Sequence, residues 1–263
     1  MTPVVTAVLL LCGIGLLLGV GLGLAAHFLA VKEDEKAKAL LACLPGANCG
    51  ACGFSGCAGY AKALSESAGL RNNLCPVGGE QTAEAIAAIL GTKAGKTVKK
   101  TARVRCRGME SCRVRLADYE GVSTCRAASA LYNGGSGCAY GCLGLGDCVS
   151  ACEKNAIKIR QGIAVIDESL CVACGKCEGA CPKKLIAVVP VKTATVLCRN
   201  PEKGPATKAV CTTGCLGCRL CEKACSTSAI TVTGGVAQVD PERCTGCGAC
   251  ADACKFGVIR MTP

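Results

Sequence analysis

Apolar and polar positions alternate along this chain in three distinct ways. From Val4 to Val31 the sequence "VVTAVLLLCGIGLLLGVGLGLAAHFLAV" is almost unbroken apolar. It exceeds the roughly 20 residues that cross a bilayer as a helix. Further on, "CAGYAKALSES" from Cys57 and "GEQTAEAIAAILG" ending at Gly91 carry apolar residues at helical spacing, and predict two amphipathic helices. In the C-terminal half the period shortens. "AIKIRQGIAVID" and "AITVTGGVAQVD" alternate around Gly-containing centres, and predict β-hairpins. Short helical turns are expected at Val149 to Glu153 and Glu222 to Ala224.

No basic residue precedes the apolar run, and it is longer than the core of a signal peptide. It therefore reads as a retained transmembrane helix. Lys32, Lys36 and Lys38 follow it, which predicts that the bulk of the chain lies on the cytoplasmic side. Gly15, Gly19 and Gly23 share one helix face. That stripe either lets a second membrane helix approach closely or reflects the general frequency of glycine in such helices. His27, the only histidine, sits near the helix end and reads as interfacial. Cys12 lies within the span and reads as inert.

Composition changes the picture of the remainder. The 263 residues include 27 Cys and 34 Gly but no Trp, three Phe and four Tyr. Large side chains are too few for an ordinary core, so small modules held by disulfide, zinc or iron–sulfur are implied. The formal net charge is +11 with cysteines taken as neutral. Each oxidised [4Fe–4S] core held by four thiolates carries about −2, so six of them would supply about −12. The basic residues then serve as counter-charge. No aromatic-interleaved basic motif accompanies them, so nucleic acid is not an expected partner.

Cysteine spacing narrows the chemistry. Cys171, Cys174, Cys177 and Cys181 form C-x2-C-x2-C-x3-C followed by Pro182; Cys244, Cys247, Cys250 and Cys254 repeat the spacing, as do Cys215, Cys218, Cys221 and Cys225. This is the bacterial ferredoxin run, in which the fourth thiol serves the neighbouring cluster. At an offset of 73, Cys125 falls on Cys198, Cys138 on Cys211, Cys142 on Cys215, Cys148 on Cys221 and Cys152 on Cys225, and the Cys171 run falls on the Cys244 run. The half-chain is a duplication. Leu145 stands where the second copy has Cys218.

The crossed rule gives four sites. Cys152, Cys171, Cys174 and Cys177 form one; Cys215, Cys218, Cys221 and Cys254 another; Cys225, Cys244, Cys247 and Cys250 a third. The fourth, lacking a thiol at Leu145, takes the nearest spare one and becomes Cys138, Cys142, Cys148 and Cys181. Cys106, Cys125, Cys198 and Cys211 remain for a further site, with Cys112 as a substitute for Cys106. Cys49, Cys52, Cys57 and Cys75 form a separate N-terminal set, and Cys43 is unassigned. About six [4Fe–4S] clusters are expected.

A disulfide scaffold needs an oxidising compartment, against the topology and the odd cysteine count. Zinc ribbons use paired C-x2-C units and not triplets closed by a fourth thiol. The sequence offers no nucleophile–base pair, P-loop or dinucleotide fingerprint. The chain reads as an electron carrier without a self-contained catalytic site.

"LPGANCGACGFSGCAGYAKAL…CPVGGEQTAEAIAAILG" resembles the small four-cysteine [4Fe–4S] domain shared by some carbon-monoxide dehydrogenase-type proteins and the B subunit of the Rnf complex. The order of membrane helix, this domain, a basic stretch, "GCAYGCLGLGDCVSAC" and ferredoxin runs resembles the long form of that Rnf component over essentially the whole chain. Cys152, Cys225 and Cys254 depart from the usual run in lacking a following Pro.

The resemblance implies an α+β protein in the cytoplasmic (inner) membrane with a single pass. It implies residues 1–31 as the transmembrane helix, 32–91 as a four-Cys domain, 92–124 as a basic linker with Cys106 and Cys112, and 125–190 and 191–263 as tandem two-cluster ferredoxin-like modules. It implies an electron-transfer subunit of a redox-driven ion translocase, the ferredoxin:NAD+ oxidoreductase. Electrons would come from soluble ferredoxin and pass to membrane subunits, with flavin and NAD held by partners.

Lys99, Lys100 and Arg103, in the basic stretch, are candidates for docking an acidic ferredoxin or anionic lipid. Two other readings are a membrane-tethered polyferredoxin serving another redox enzyme such as a hydrogenase, and a metal-stabilised structural or redox-sensing module.

Overall fold

The computed structural model describes residues 3–28, 34–67 and 69–262. Lys32 and Glu33, which bear on the sidedness expectation, lie outside the described residues. Helix α1 (Pro3–Phe28) covers the long apolar run. Its Ala7–Leu24 stretch is long and apolar enough to cross a membrane, and none of it is buried against the rest of the chain.

Three helices follow. In α2 (Glu35–Cys43), the Asp34 carboxylate accepts the Lys36 amide at 2.9 Å and so satisfies one free donor of the first turn. The other two are α3 (Cys57–Glu66) and α4 (Gly79–Leu90), the latter closed by Gly91 in the left-handed conformation, as its sequence predicts. They bury Leu40, Tyr60, Leu64 and Ile86 together with Cys57 and Cys75. The Tyr60 hydroxyl donates to the Arg71 carbonyl at 2.7 Å and accepts the Leu74 amide at 3.3 Å. The loop that carries Cys75 is thereby tied to α3.

The remainder forms two blocks of one pattern. In the first, β1 (Lys100–Val104) precedes α5 (Cys125–Ala130) and α6 (Asp147–Ser150). Strands β2 (Ile157–Arg160) and β3 (Ile163–Ile166) make the expected hairpin, in register Ile157↔Ile166. After α7 (Lys176–Ala180), β4 (Ile186–Pro190) returns to pair antiparallel with β1, in register Ala102↔Val188.

In the second block β5 (Ala194–Val196) is followed by α8 (Gly204–Val210) and α9 (Leu220–Lys223). The hairpin β6 (Ile230–Thr233) and β7 (Val236–Val239) then leads to α10 (Ala249–Asp252), and β8 (Ile259–Met261) pairs with β5. Each sheet has two strands. The cores are small, built from Ile157, Ala164 and Ile186 in one block and Ile230, Val236, Val258 and Ile259 in the other, with thiols completing both.

One glycine contact recurs. Gly144 and Gly217 have positive φ, and a Cβ on either would come within 2.5 and 2.7 Å of the Gly162 and Gly235 carbonyl oxygens. The thiol-bearing loop thus lies directly on the hairpin turn in each block, where a side chain cannot fit.

The segment expected as a linker, 92–124, is largely built into the fold. Lys100–Val104 is the first strand of the first block: it buries Thr101 and Ala102 and pairs along its whole length with β4. Beyond it the chain straps the blocks together. Arg113 bridges Cys211, the Val114 amide donates to the Val210 carbonyl at 2.9 Å, and the Thr212 amide donates to the Cys112 carbonyl at 2.8 Å. Arg107 reaches the Gly257 carbonyl at 2.7 Å.

Candidate metal centres

The cysteines gather in six neighbourhoods, and none is in a disulfide. At site A, Cys57 and Cys75 are buried in the core of the three helices and Cys52 packs against them. Cys49 stands at the edge of this group, on the wall of the next cavity. The Asn48 side-chain oxygen accepts the Cys57 amide at 2.9 Å and closes the loop that presents Cys49 and Cys52.

Site B gathers Cys152, Cys171, Cys174 and Cys177 around a small cavity of about 30 Å³. Site E gathers Cys215, Cys218, Cys221 and Cys254 around one of about 20 Å³. Site F gathers Cys225, Cys244, Cys247 and Cys250. Each of these three groups brings together thiols from two different runs.

The other two sites differ from the expected partition by an exchange. Cys142 and Cys148 have Cys125 and Cys181 within reach, forming site C. Cys138 faces Cys211 and Cys198 and, with Cys106, lines a separate small cavity of about 20 Å³, forming site D. In the structure Cys125, not Cys138, lies beside Cys142, Cys148 and Cys181. The physical reason is a carboxylate that cysteine spacing does not reveal. Asp147, beside Leu145, accepts the amides of Cys125 at 2.7 Å and Arg126 at 3.0 Å. It thus holds the first turn of α5 against the site C loop, with Thr124 capping the same turn. Cys112 joins none of the six groups; its carbonyl is engaged with Thr212.

The six neighbourhoods form a continuous order. Cys49 of site A lines the cavity of site B. Sites B and C share one block and cross its runs, since Cys181 follows the site B thiols in sequence but joins site C. The Cys142 amide of site C donates to the Cys106 sulfur of site D at 3.4 Å. The Cys215 amide of site E is likewise directed at the Cys198 sulfur of site D. Cys142 and Cys215 are repeat equivalents, so site D receives the same contact from both blocks. Sites E and F share the second block. Cys218 and Cys247 are exposed, whereas Cys106, Cys138 and Cys198 are enclosed.

These surroundings suit iron–sulfur clusters. Backbone amides donate to the sulfurs of Cys171, Cys181, Cys225, Cys244 and Cys254 at 3.3–3.5 Å, the interaction that stabilises cluster-bound thiolate. Burial pushes the Cys106 and Cys148 thiols up to about 12, and Cys177 and Cys221 up to about 11. As bare thiols these groups keep their protons, and coordination to iron displaces them. Among the described residues no three His, Cys, Asp or Glu side chains converge closely enough for a single metal ion. Zinc, with bonds of about 2.3 Å, would draw its sulfurs to about 3.8 Å from one another; a four-iron cube holds its thiolates farther apart.

The docking candidates separate. Lys99 and Lys100 are exposed. Arg103 is an internal tie, 2.6 Å from Glu168 and donating to the Met261 carbonyl at 3.3 Å.

Three family models match the chain: an Fe-S cluster domain over residues 44–77, a 4Fe-4S binding domain over 164–186 and a 4Fe-4S dicluster domain over 214–258. Among curated proteins the chain is 41% identical over 242 residues to the B subunit of the ion-translocating oxidoreductase complex of Methanosarcina acetivorans, covering 91% of each chain. It is 41% identical over 233 residues to the B subunit of the Na(+)-translocating ferredoxin:NAD(+) oxidoreductase complex of Acetobacterium woodii, covering 88% of this chain and 69% of that one. It is 35% identical over 246 residues to the B subunit of the proton-translocating ferredoxin:NAD(+) oxidoreductase complex of Clostridium ljungdahlii, covering 93% and 87%.

Proposed function

Because this chain belongs to the family of B subunits of the ion-translocating oxidoreductase complexes, we propose that it is the iron–sulfur electron-transfer subunit of such a membrane complex. It takes electrons from reduced ferredoxin and delivers them to membrane partners. The observation that carries this reading is the unbroken order of thiol groups from site F to site A. A [4Fe–4S] cluster bound at a site supplies one-electron chemistry. The chain itself holds each cluster with four thiolates, aims amides at the sulfurs, and keeps water from the buried ligands.

In this reading the two blocks are tandem two-cluster ferredoxin modules, with site D as an added cluster at their junction and site A as the separate N-terminal cluster. The ligands are Cys49, Cys52, Cys57 and Cys75; Cys152, Cys171, Cys174 and Cys177; Cys125, Cys142, Cys148 and Cys181; Cys106, Cys138, Cys198 and Cys211; Cys215, Cys218, Cys221 and Cys254; and Cys225, Cys244, Cys247 and Cys250. Electrons enter at the second block, where the exposed Cys218 and Cys247 bring two sites nearest to solvent. They leave at site A, which follows α1 in the chain. Helix α1 anchors the protein as a single pass with the thiol-bearing blocks in the cytoplasm. Lys100 opens β1 and Lys99 precedes it; this strand reaches site B through the Ala102 amide on the Cys171 sulfur, and the pair is assigned to the membrane-side contact.

The test is iron and sulfide analysis of anaerobically purified protein. Six clusters require about 24 of each per chain, all reducible by ferredoxin. Zinc without sulfide would overturn the reading.

A further inference from the structure

Site D differs from its neighbours in charge. Its cavity is lined by Arg105, Arg107, Arg113 and Arg199. Among the described residues none of these four makes a salt bridge to a carboxylate. Arg107 and Arg199 donate to the carbonyls of Gly257 and Lys184, and Arg113 to that of Cys142. Arg105 is partly buried and lines this cavity together with Arg199 and the Cys198 thiol. A desolvated cation placed beside another cation is costly unless an anion lies between or beside them. Glu202 acts on Cys138 from nearby, Glu110 lies close to the Arg113 guanidinium beside Gly162 without forming a salt bridge to it, and Glu178 lines the adjoining cavity behind Arg105.

At sites B and E a nearby cation has a carboxylate partner. At site B, Lys176 is paired with Glu153; at site E, Arg219 is paired with Glu222 at 3.8 Å. Site D also collects an amide from each flanking site, from Cys142 and from Cys215. Its Asn200 amide lies 4.0 Å from the Cys138 sulfur. Positive charge and N–H donors both favour the reduced, more negative state of a cluster.

We infer that the arginines around site D make it the electron-holding node of the chain, with the most positive potential of the six sites. This rests on the reading of site D as a cluster site. An electron donated by reduced ferredoxin at the second block comes to rest at site D, and a second electron is needed before the first moves on to site C. Arg105, Arg107, Arg113 and Arg199 are positioning residues for that charge and touch no partner in the role proposed here.

The experiment is a potentiometric titration of the full, cluster-loaded chain followed by EPR, with iron counted on each sample. The component that is reduced first should be missing from Cys106→Ala/Cys198→Ala, with about four fewer irons. In Arg105→Gln/Arg199→Gln its reduction equilibrium should shift at least tenfold towards the oxidised state, which for one electron is about 59 mV. Arg105→Lys/Arg199→Lys, which keeps the charge, should leave it in place and also controls for misfolding.

If the iron count does not fall in the cysteine variant, site D holds no cluster, and both the inference and the six-site reading fail. If iron falls but the first-reduced component survives, or if that component ignores the Gln variant or moves as far in the Lys variant, the inference alone is overturned.

Discussion

Asp147 is the residue on which the exchange of Cys125 for Cys138 turns, and Asp147→Ala is the sharpest probe of it. Its carboxylate accepts two backbone amides, from Cys125 at 2.7 Å and Arg126 at 3.0 Å. Hydrogen bonds to a charged group contribute about 1.5–3 kcal/mol each. Asp147 is only part-buried, so the lower end applies and the two together give about 3 kcal/mol. At about 1.4 kcal/mol per tenfold, detachment of the α5 turn becomes about 100-fold more frequent. Thr124 still caps the Ala127 amide at 3.2 Å, so the turn itself survives while its hold on site C weakens.

The assay is the time course of iron release to a chelator, read by native mass spectrometry. One cluster in six should leave about 100-fold faster than in the parent, while the rest keep their rates. Uniform acceleration of all clusters would point to general unfolding. An unchanged profile would refute the role given to Asp147, and with it the account of why Cys125 reaches site C.

Three further outcomes follow from the same geometry. Cys125→Ala should lose about four irons, and adding Leu145→Cys, which recreates the thiol that the second copy has at Cys218, should restore them; failure to restore despite a soluble chain would count against the repeat equivalence. Cys112→Ala should retain the full iron and sulfide content, and loss of a cluster would return Cys112 to the ligand set. Lys99→Glu/Lys100→Glu should weaken binding of the chain to anionic vesicles at low salt while leaving reduction by ferredoxin unchanged. A slower ferredoxin reaction, recovering as salt rises, would place docking on β1 instead.

The hairpins at 157–166 and 230–239 are readable in the sequence because alternation around a glycine turn is a local signal. Gly91 closing α4 is readable for the same reason. The run-based thiol groups B, E and F are readable because spacing alone encodes the crossing. Sites C and D need information from outside the runs. Cys125 and Cys138 both lie upstream of the first run, and nearness in sequence favours Cys138. What selects Cys125 is a carboxylate–amide contact across 22 residues, and no pattern of apolar spacing reports it. β1 is likewise obscured: five residues rich in Lys and Arg look like solvated linker until β4 is set beside them. Arg103 resembles a docking charge for the same reason, since its partner Glu168 is distant in the chain.

The composition of site D also fixes when each centre can be completed. A chain is made from its N-terminus, and the thiols of sites A, B and C are all present once Cys181 has emerged. Cys106 and Cys138 precede Cys181, yet their partners Cys198 and Cys211 belong to the second block. Through that interval the emerged chain holds three complete sets and half of a fourth, with Arg105 and Arg107 already beside it. The junction therefore closes only when the second block arrives, and its closure couples maturation of the two halves into one ordered event.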